Sequence, residues 1–326
     1  MKILIISGFL GAGKTTFIRE LVRRTGREMA ILENEYAAAG VDGRLLENSL
    51  PPDKSINIWE LTEGCICCST KGDFAASVLT IANTVNPEFL IVEPTGVGKL
   101  SNVIANLRQI EYERISLLAP VTIIDGKSFW HYQSEYPDIF KDQITASQTL
   151  VLSKMEHADG MEIRAVETAL LRLNPEARIL TSHYSQAEDS WWTSLLEKGC
   201  RGEFLPSRQK VAEKLPTSCT LETVSMGSPE ELLIFLEELI RGRFGNIIRA
   251  KGVLYAGAQS FRFDVADGQY ILTSAGIMAK TDGKAVFIGE NIARRQIMRR
   301  FKKDPDGESA QKRISYRSIQ RKSQQL

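Results

Sequence analysis

The chain has 326 residues, of which 43% are hydrophobic and 25% charged, and this globular composition excludes a mainly disordered protein. Its length predicts about two domains. Lys and Arg number 41 against 40 Asp and Glu, so the net charge of +1 argues against nucleic acid as a partner. Because no apolar run approaches the ~20 residues of a bilayer span and none has the form of a signal peptide, we expect a cytoplasmic protein without membrane contact.

Short apolar runs alternate with helical stretches over residues 1–201. The runs Ile3–Ile6 and Phe89–Val92 are apolar throughout, which is typical of strands buried on both faces of a parallel sheet. This order predicts an α/β fold, a P-loop NTPase with a doubly wound, mostly parallel sheet. The predicted strands are Lys2–Ser7, Glu28–Glu33, Ile56–Leu61, Phe89–Glu93, Leu117–Ile124, Thr149–Ser153 and Arg178–Thr181. The predicted helices are Lys14–Thr25, Asp73–Val85, Ser101–Ile110 and Met161–Leu173.

The pattern changes after the first domain, where a polar stretch with two prolines predicts a linker. Beyond it, a strand over Cys219–Ser225, a helix over Pro229–Arg241 and several further strands predict a small α+β domain. Ser228 directly precedes that helix, where its hydroxyl can accept the N–H of Glu231 as an N-cap. The expected boundaries are 1–201 for the first domain, 202–217 for the linker, 218–301 for the second domain and 302–326 for a basic, disordered tail.

The sequence GFLGAGKT over residues 8–15 lies between a predicted strand and a predicted helix, which is the pattern and the context of a Walker A phosphate-binding loop. Its glycines let successive backbone N–H groups face phosphate oxygens, and the helix N-terminus adds a positive dipole end. In such a loop Lys14 reaches the β- and γ-phosphates, and the Thr15 hydroxyl ligates Mg²⁺. The expected nucleotide contacts here are Gly8, Gly11, Ala12, Gly13, Lys14, Thr15 and Thr16.

The second half of the nucleotide site is predicted where the apolar run Phe89–Val92 ends in Glu93. We expect Glu93 to hold the Mg²⁺ shell through one water, and Gly96, in the pattern E-x-x-G, to offer its backbone N–H to the γ-phosphate. An ordinary buried strand that ends in Glu is the alternative. Behind a Walker A loop, however, the motif favours Mg²⁺ binding.

The segment Val151–Glu156 follows a predicted strand and resembles the guanine-reading pattern N-K-x-D with two substitutions. The Glu156 carboxylate can accept both N1–H and N2–H of guanine, which adenine cannot supply, and the Lys154 stem is expected to pack over the base. Ser153 lacks the amide that ties such a loop to the phosphate-binding loop, so we expect that tie to be lost. His183, after the last strand, is a candidate for closing over the base. The alternatives are a helix cap with an ordinary surface Lys/Glu pair and, for His183, a surface-loop histidine.

Three of the five cysteines stand together as Cys65, Cys67 and Cys68, between a predicted strand and a predicted helix. Thiolates so close in sequence can supply a soft ligand set for Zn²⁺ or a related ion such as Co²⁺, with a fourth ligand from elsewhere. A redox pair and a cysteine-rich core turn are the alternatives. Cys200 and Cys219 are isolated, so no disulfide scaffold is predicted.

Together these motifs resemble one family, the CobW-type metallochaperone GTPases related to HypB and UreG, and the resemblance extends into a CobW-like C-terminal domain. The segments that carry it are Gly8–Thr16, Glu33–Gly43, Leu61–Ser69, Val92–Gly96, Leu152–Glu156, Ala250–Ala256 and Val286–Ile292. Glu93 in place of Asp is itself a hallmark of the group. The resemblance implies a protein that uses GTP and Mg²⁺ to deliver zinc, cobalt or a metal-containing cofactor to a client metalloprotein or corrinoid protein.

The resemblance also implies that Glu33–Gly43 is switch I, in which Asp42 senses Mg²⁺ and the γ-phosphate. Family members commonly carry a second Glu a few residues after N-E-F/Y, whereas this chain has alanines at 37–39 and no histidine-rich segment. The candidate ligands of a transported metal are then the three clustered cysteines, Glu35 or a group from the client. The residues implied in GTP hydrolysis are Lys14, Thr15, Asp42, Glu93 and Gly96.

Three functions are compatible with these motifs. The first is a GTPase coupled to metal or metallocofactor delivery. Its turnover is expected to be slow, because the loop after Glu93 supplies no Gln to orient water and no arginine finger can be assigned in the chain. A client or the second copy of a homodimer is then expected to supply the missing group. The second is a GTP-gated assembly or reactivation factor for a corrinoid or metalloenzyme that carries no metal itself. The third is a P-loop small-molecule kinase, which the guanine motif and the cysteine cluster disfavour.

Overall fold

The computed structural model describes residues 1–33, 57–60, 71–202, 216–266, 268–276 and 282–303. The chain divides into two units, Met1–Val211 and Ala212–Leu326. None of the helices in the described ranges is long and apolar enough to span a membrane.

The first unit is built on a parallel sheet whose strands follow the order β3-β2-β4-β1-β6-β7-β8, with β5 also paired to β1. Its strands are β1 (Lys2–Gly8), β2 (Met29–Glu33), β3 (Asn57–Glu60), β4 (Phe89–Glu93), β5 (Ser116–Leu117), β6 (Val121–Asp125), β7 (Thr149–Ser153) and β8 (Arg178–Leu180). Its helices are α1 (Lys14–Thr25), α2 (Lys71–Thr84), α3 (Leu100–Arg108), α4 (Phe129–Glu135), α5 (Pro137–Thr145), α6 (Gly160–Leu173) and α7 (Asp189–Ser194). Along β1, Leu4 and Ile6 enter one hydrophobic cluster and Ile3 and Ile5 enter another, so both faces of the sheet are buried. This arrangement confirms the predicted α/β fold.

The strand register aligns the carboxyl ends of the parallel strands. Strand β1 lies between β4 and β6. On one side of it, β2 and β4 end with Glu33 opposite Glu93, and on the other side β6 and β7 end with Asp125 opposite Ser153. Ligands of open α/β sheets bind in the crevice at this edge, so the register brings these polar side chains to the expected ligand side.

The first unit differs from the sequence prediction in one strand and in the helices α4, α5 and α7, of which α7 has only 6 residues. The strand predicted at Leu117–Ile124 is two strands, β5 and β6. Pro120 separates them, because it has no N–H for a ladder and its carbonyl accepts the N–H groups of Gln148 and Thr149. The sequence also fails to predict α4 and α5, since the break at Pro137 leaves two helices too short to show several turns of helical period.

The second unit is a mainly antiparallel sheet with one long helix. Its strands are β9 (Thr217–Glu222), β10 (Val224–Met226), β11 (Asn246–Ala256), β12 (Gln259–Ala266), β13 (Gln269–Ser274), β14 (Lys284–Glu290) and β15 (Lys302–Lys303), and its helices are α8 (Pro229–Ile240) and α9 (Arg294–Met298). Ser228 Oγ accepts the N–H of Glu231 at 3.3 Å, which confirms the predicted N-cap of α8. The order of elements confirms the predicted α+β class.

Two details of the second unit also differ from the prediction. Thr223 takes a φ of 54°, in the left-handed region, and divides the strand predicted at Cys219–Ser225 into β9 and β10. Lys302 and Lys303, assigned to the tail by the sequence, form β15 and pair with β10. The rest of the tail, and with it the predicted disorder, lies outside the described residues.

Candidate functional site

The phosphate-binding loop curls between the end of β1 and the start of α1. Gly8 takes a φ of 144°, and a Cβ there would overlap the carbonyl oxygen of Ile123 on β6, so only glycine fits. Gly13 precedes α1, and its carbonyl accepts the N–H of Phe17 at 2.9 Å, which begins the helix. The first N–H groups of a helix have no partner within it, so this turn presents backbone donors to an anion.

Lys14 lies inside the phosphate-binding loop. It is 7% exposed, and its Nζ donates to the carbonyls of Gly8 and Phe9 at 3.2 and 3.3 Å. The same Nζ lies 3.8 Å from Glu93 Oε1, at the end of β4. The ammonium group is therefore held where the loop curls, between the carbonyls of Gly8 and Phe9 and the carboxylate of Glu93.

Thr15 and Glu93 form an oxygen donor set beside that lysine. The Thr15 hydroxyl donates to both carboxylate oxygens of Glu93, at 3.4 and 3.3 Å. Hydroxyl and carboxylate oxygens are the hard ligands that Mg²⁺ prefers. The two side chains therefore fit a magnesium ion, held either directly or through water.

The loop after β4 touches the phosphate-binding loop backbone to backbone. A Cβ added at Gly96 would lie 2.6 Å from the backbone nitrogen of Leu10, so no larger residue fits without displacing one of the loops. The loop closes as a turn in which Gly98 N–H donates to the Thr95 carbonyl at 3.1 Å. The structure thus brings Glu93 and Gly96 to the same place as Lys14.

The expectation that Ser153 leaves the base-reading loop untied is wrong. Ser153 Oγ donates to the carbonyl of Ala12 at 2.9 Å, and the side chain is buried. The physical reason is distance: a Cβ at Gly13 would lie 3.4 Å from Ser153 Oγ, so the two loops approach closely enough for a short hydroxyl to span the gap. A longer amide is not needed here.

Lys154 is held by Asp125, a residue that was not predicted from the sequence as part of the site. Lys154 Nζ lies 2.6 Å from Asp125 Oδ2, and the Asp125 side chain has no exposed surface. The other carboxylate oxygen accepts the N–H of Ser128 at 3.3 Å. The sequence does carry a signal for Asp125, because this residue ends the apolar run Val121–Ile124 as Glu93 ends the run Phe89–Val92.

Glu156 and His183 lie side by side. His183 Nε2 is 3.4 Å from Glu156 Oε1, and both side chains are partly exposed. Two further contacts orient the His183 ring: it stacks on Tyr184, with ring centroids 4.4 Å apart, and its Nδ1 contacts Ser185 Oγ at 2.6 Å. The alternative interpretation of Glu156 as a helix cap is wrong, since Asp159 caps α6 with a capping box.

Several candidate residues lie outside the described residues: Glu35, Asp42, Cys65, Cys67 and Cys68. Within the part of the chain that the structure describes, no group of three or more His, Cys, Asp or Glu side chains is arranged to hold a metal ion. The two described thiols, Cys200 and Cys219, are held in their protonated form, since burial raises the pKa of both.

The chain is similar in sequence to several characterised proteins. Zinc chaperone CobW of Sinorhizobium sp is 30% identical over 188 residues, which is 50% of this chain and 53% of that protein. Zinc chaperone YeiR of Escherichia coli K12 is 27% identical over 187 residues, which is 56% of each. Zinc-regulated GTPase metalloprotein activator 1 of Dictyostelium discoideum is 25% identical over 220 residues, 56% of this chain and 46% of that protein. The chain thus spans about half the length of these relatives.

The structure can also be compared with solved ones. The Zn(II)-bound YjiA GTPase from E. coli is 18% identical, with a TM-score of 0.45 over 92% of this chain and 97% of that chain.

Two family profiles match the sequence itself. CobW/HypB/UreG, nucleotide-binding domain, matches residues 2–181, and Cobalamin synthesis protein cobW C-terminal domain matches residues 217–303. The chain therefore belongs to the CobW/HypB/UreG family of nucleotide-binding proteins, with a cobW C-terminal domain that follows the nucleotide-binding domain in the sequence.

Proposed function

We propose that the chain binds GTP with Mg²⁺, hydrolyses it slowly, and couples its nucleotide state to delivery of a metal ion of the zinc or cobalt class, or of a metal-containing cofactor, to a client protein. The observation that carries the nucleotide part is the meeting of Lys14, Thr15 and Glu93 where β1 and β4 end. A cation for phosphate oxygens and two hard ligands for Mg²⁺ lie together there, joined by the Thr15–Glu93 hydrogen bond and the Lys14–Glu93 ion pair.

Each of these groups has one role in the proposed hydrolysis. Lys14 balances the charge on the β- and γ-phosphates, Thr15 and Glu93 hold Mg²⁺, and the Gly96 N–H faces the γ-phosphate. Bound Mg²⁺ supplies further neutralisation of phosphate charge. Asp42, which lies outside the described residues, would sense the same ion. The loop directly after Glu93 contains no Gln to orient water, so we expect slow turnover unless a client or second copy contributes a group.

Guanine selection is supported by the second group at this edge of the sheet. Glu156 is partly exposed beside His183, so its carboxylate is accessible to a base. Lys154 is held by the buried Asp125 rather than by Glu156, so Lys154 does not compete with the N1–H and N2–H of guanine for the Glu156 oxygens. Adenine offers no matching pair of donors.

The metal part rests on the cysteine cluster and on the relatives. Cys65, Cys67 and Cys68 are soft ligands in a spacing that suits Zn²⁺ or Co²⁺, and relatives of this chain are named zinc chaperones. The metal is here the cargo, to be bound and passed on. Glu35 is the candidate for a further ligand from the same chain.

The experiment that tests this function combines three measurements on the full chain: calorimetric binding of GTP, GDP and ATP with Mg²⁺, phosphate release from GTP, and Zn²⁺ and Co²⁺ titration against a chelator. We expect GTP to bind at least about tenfold more tightly than ATP, since a bidentate base contact is lost with adenine. We also expect metal binding that depends on the three clustered cysteines. Equal affinity for ATP and GTP, or no metal binding by these cysteines, would contradict the corresponding half of the proposal.

A second candidate function is favoured by one feature of the sequence. Alanines occupy 37–39, where the family resemblance implies a further Glu, and the chain has 3 His. These substitutions fit a GTP-gated assembly or reactivation factor that acts on a corrinoid or metalloenzyme without carrying metal. Retained GTP binding together with absent cysteine-dependent metal binding is the result that would select it.

A further inference from the structure

Helices α4 and α5 connect the two loops of the phosphate site. Tyr132 of α4 and Tyr136, which lies between α4 and α5, pack on Phe9 of the phosphate-binding loop, with ring centroids 4.1 and 5.3 Å from that of Phe9. From α5, Asp142 accepts hydrogen bonds from both the N–H and the hydroxyl of Ser101, at the start of α3. The helical pair therefore holds the phosphate-binding loop at one end and the segment after the E-x-x-G motif at the other.

Gln143 of α5 makes the central contact of this arrangement. It is 1% exposed, and its side-chain NH₂ donates to the carbonyls of Gly96 and Gly98, each at 3.1 Å. Its own backbone carbonyl accepts the Thr122 hydroxyl of β6 at 3.1 Å, which anchors the end of α5 to the sheet. The amide is thus a buried bridge from the sheet to the turn that contains Gly96.

The side-chain NH₂ of Gln143 carries two N–H donors, so one uncharged group satisfies both carbonyl acceptors. The turn Thr95–Gly98 is already closed by its own backbone hydrogen bond, and Gln143 fixes the carbonyls of Gly96 and Gly98. The first of these carbonyls belongs to the residue whose N–H is proposed to face the phosphate. The Gly96 peptides are further confined by the backbone of Leu10. A donor that is held in place before the ligand arrives costs less to order on binding.

On the proposed function, we propose that Gln143 is a positioning residue for the γ-phosphate: it holds the Gly96 turn so that the Gly96 N–H is aimed at the terminal phosphate of GTP. Gln143 acts through Gly96 and touches no nucleotide itself. GDP lacks the γ-phosphate, so Gln143 contributes to GTP affinity and little to GDP affinity. The residue therefore sets how well the protein distinguishes its two nucleotide states.

The test compares Gln143→Leu and Gln143→Glu with the wild type in the full chain, using Mg²⁺ with GDP and with a non-hydrolysable GTP analogue. We expect Gln143→Leu to weaken the GTP analogue by about tenfold, as two hydrogen bonds are lost, and GDP by less than about threefold. In Gln143→Glu an ionised carboxylate faces two carbonyls, whereas a protonated one donates to one of them. Its affinity for the GTP analogue should therefore recover in part as pH falls.

The matched control is Asn174→Leu. The Asn174 side-chain NH₂ also donates to two carbonyls near the end of α5, those of Ile144 and Ser147, each at 2.8 Å, but it does not contact the Gly96 turn. We expect this variant to lose stability without changing the ratio of GTP-analogue to GDP affinity. Urea unfolding of all variants separates the loss of stability from the loss of selectivity.

The outcomes distinguish this inference from the function on which it depends. If the wild type binds neither nucleotide, the proposed function fails and the inference fails with it. If the wild type binds both but the Gln143 variants keep its affinity ratio, or lose GDP and GTP-analogue affinity equally, only the positioning role is overturned. A change of ratio in Asn174→Leu as large as that in Gln143→Leu would overturn it as well.

Discussion

The Ser153 hydroxyl donates a hydrogen bond of 2.9 Å to the backbone carbonyl of Ala12, across a separation of 141 residues. One end of this contact is the last residue of β7, which leads into the loop proposed to read the base, and the other end lies in the phosphate-binding loop. A nucleotide that engaged both loops would therefore meet two segments already fixed to each other.

Ser153→Ala should weaken GTP and GDP alike by about three- to tenfold, because the removed bond is worth roughly 1 kcal/mol and orders both loops. Ser7→Ala is the matched control, since Ser7 Oγ is buried on β1 and has no hydrogen-bond partner among the described residues. That variant should bind nucleotide as the wild type does. Calorimetry measures both variants. Equal nucleotide affinity in Ser153→Ala and Ser7→Ala would contradict the proposed role of the Ser153–Ala12 hydrogen bond.

Lys14→Ala should abolish tight nucleotide binding, because the buried ammonium group that faces the phosphates is lost. The variant also leaves Glu93 without a cation at 3.8 Å and the Gly8 and Phe9 carbonyls without their donor. We expect a cost of about 1–3 kcal/mol in the free energy of unfolding. A folded Lys14→Ala protein that binds GTP within about threefold of the wild type would contradict the phosphate site.

Glu156→Ala should lose discrimination between GTP and ATP, because the acceptor of guanine N1–H and N2–H is removed. His183→Ala should have the smaller effect, since His183 contacts Glu156 at 3.4 Å and has no acceptor role of its own in the proposal. Competition of ATP against labelled GTP measures both variants. Unchanged discrimination in Glu156→Ala would place base recognition elsewhere.

Asp142 predicts a pH dependence of stability. Burial raises the pKa of this carboxyl above its ordinary 3.8, against the hydrogen bonds from Ser101 that lower it. The folded protein therefore holds this proton more tightly than the unfolded chain, and the free energy of unfolding falls as pH rises from 3.8 through the raised pKa. Asp142→Asn should remove this contribution, and Asp138→Asn, an exposed position on the same helix, should not. The measurement is the free energy of unfolding in urea across that pH window. The same pH dependence in both variants would contradict the assignment of this effect to Asp142.

The parts of the site that sequence predicts are those whose signal is local. Short motifs and continuous apolar runs predict the Walker A loop and the ends of β4 and β7. The contacts of Gln143 and Ser153 are not, because their partners are remote along the chain and become neighbours only through the order of strands. Asp125 is the intermediate case, since its strand carries the same pattern as β4 but only the structure shows that Lys154 is its partner.

The most direct test of coupled GTP and metal handling is a Zn²⁺ competition titration, with a chelator, of the GDP-bound and GTP-analogue-bound forms. The wild type is compared with the triple variant Cys65→Ser/Cys67→Ser/Cys68→Ser, and Cys200→Ser is the control for loss of a thiol outside the cluster. We predict that Zn²⁺ affinity differs between the two nucleotide states by roughly 5- to 150-fold, the usual range of coupling between two sites, and that only the triple variant abolishes binding. Equal Zn²⁺ affinity in both states, or unchanged binding in the triple variant, would contradict the coupling of GTP to metal.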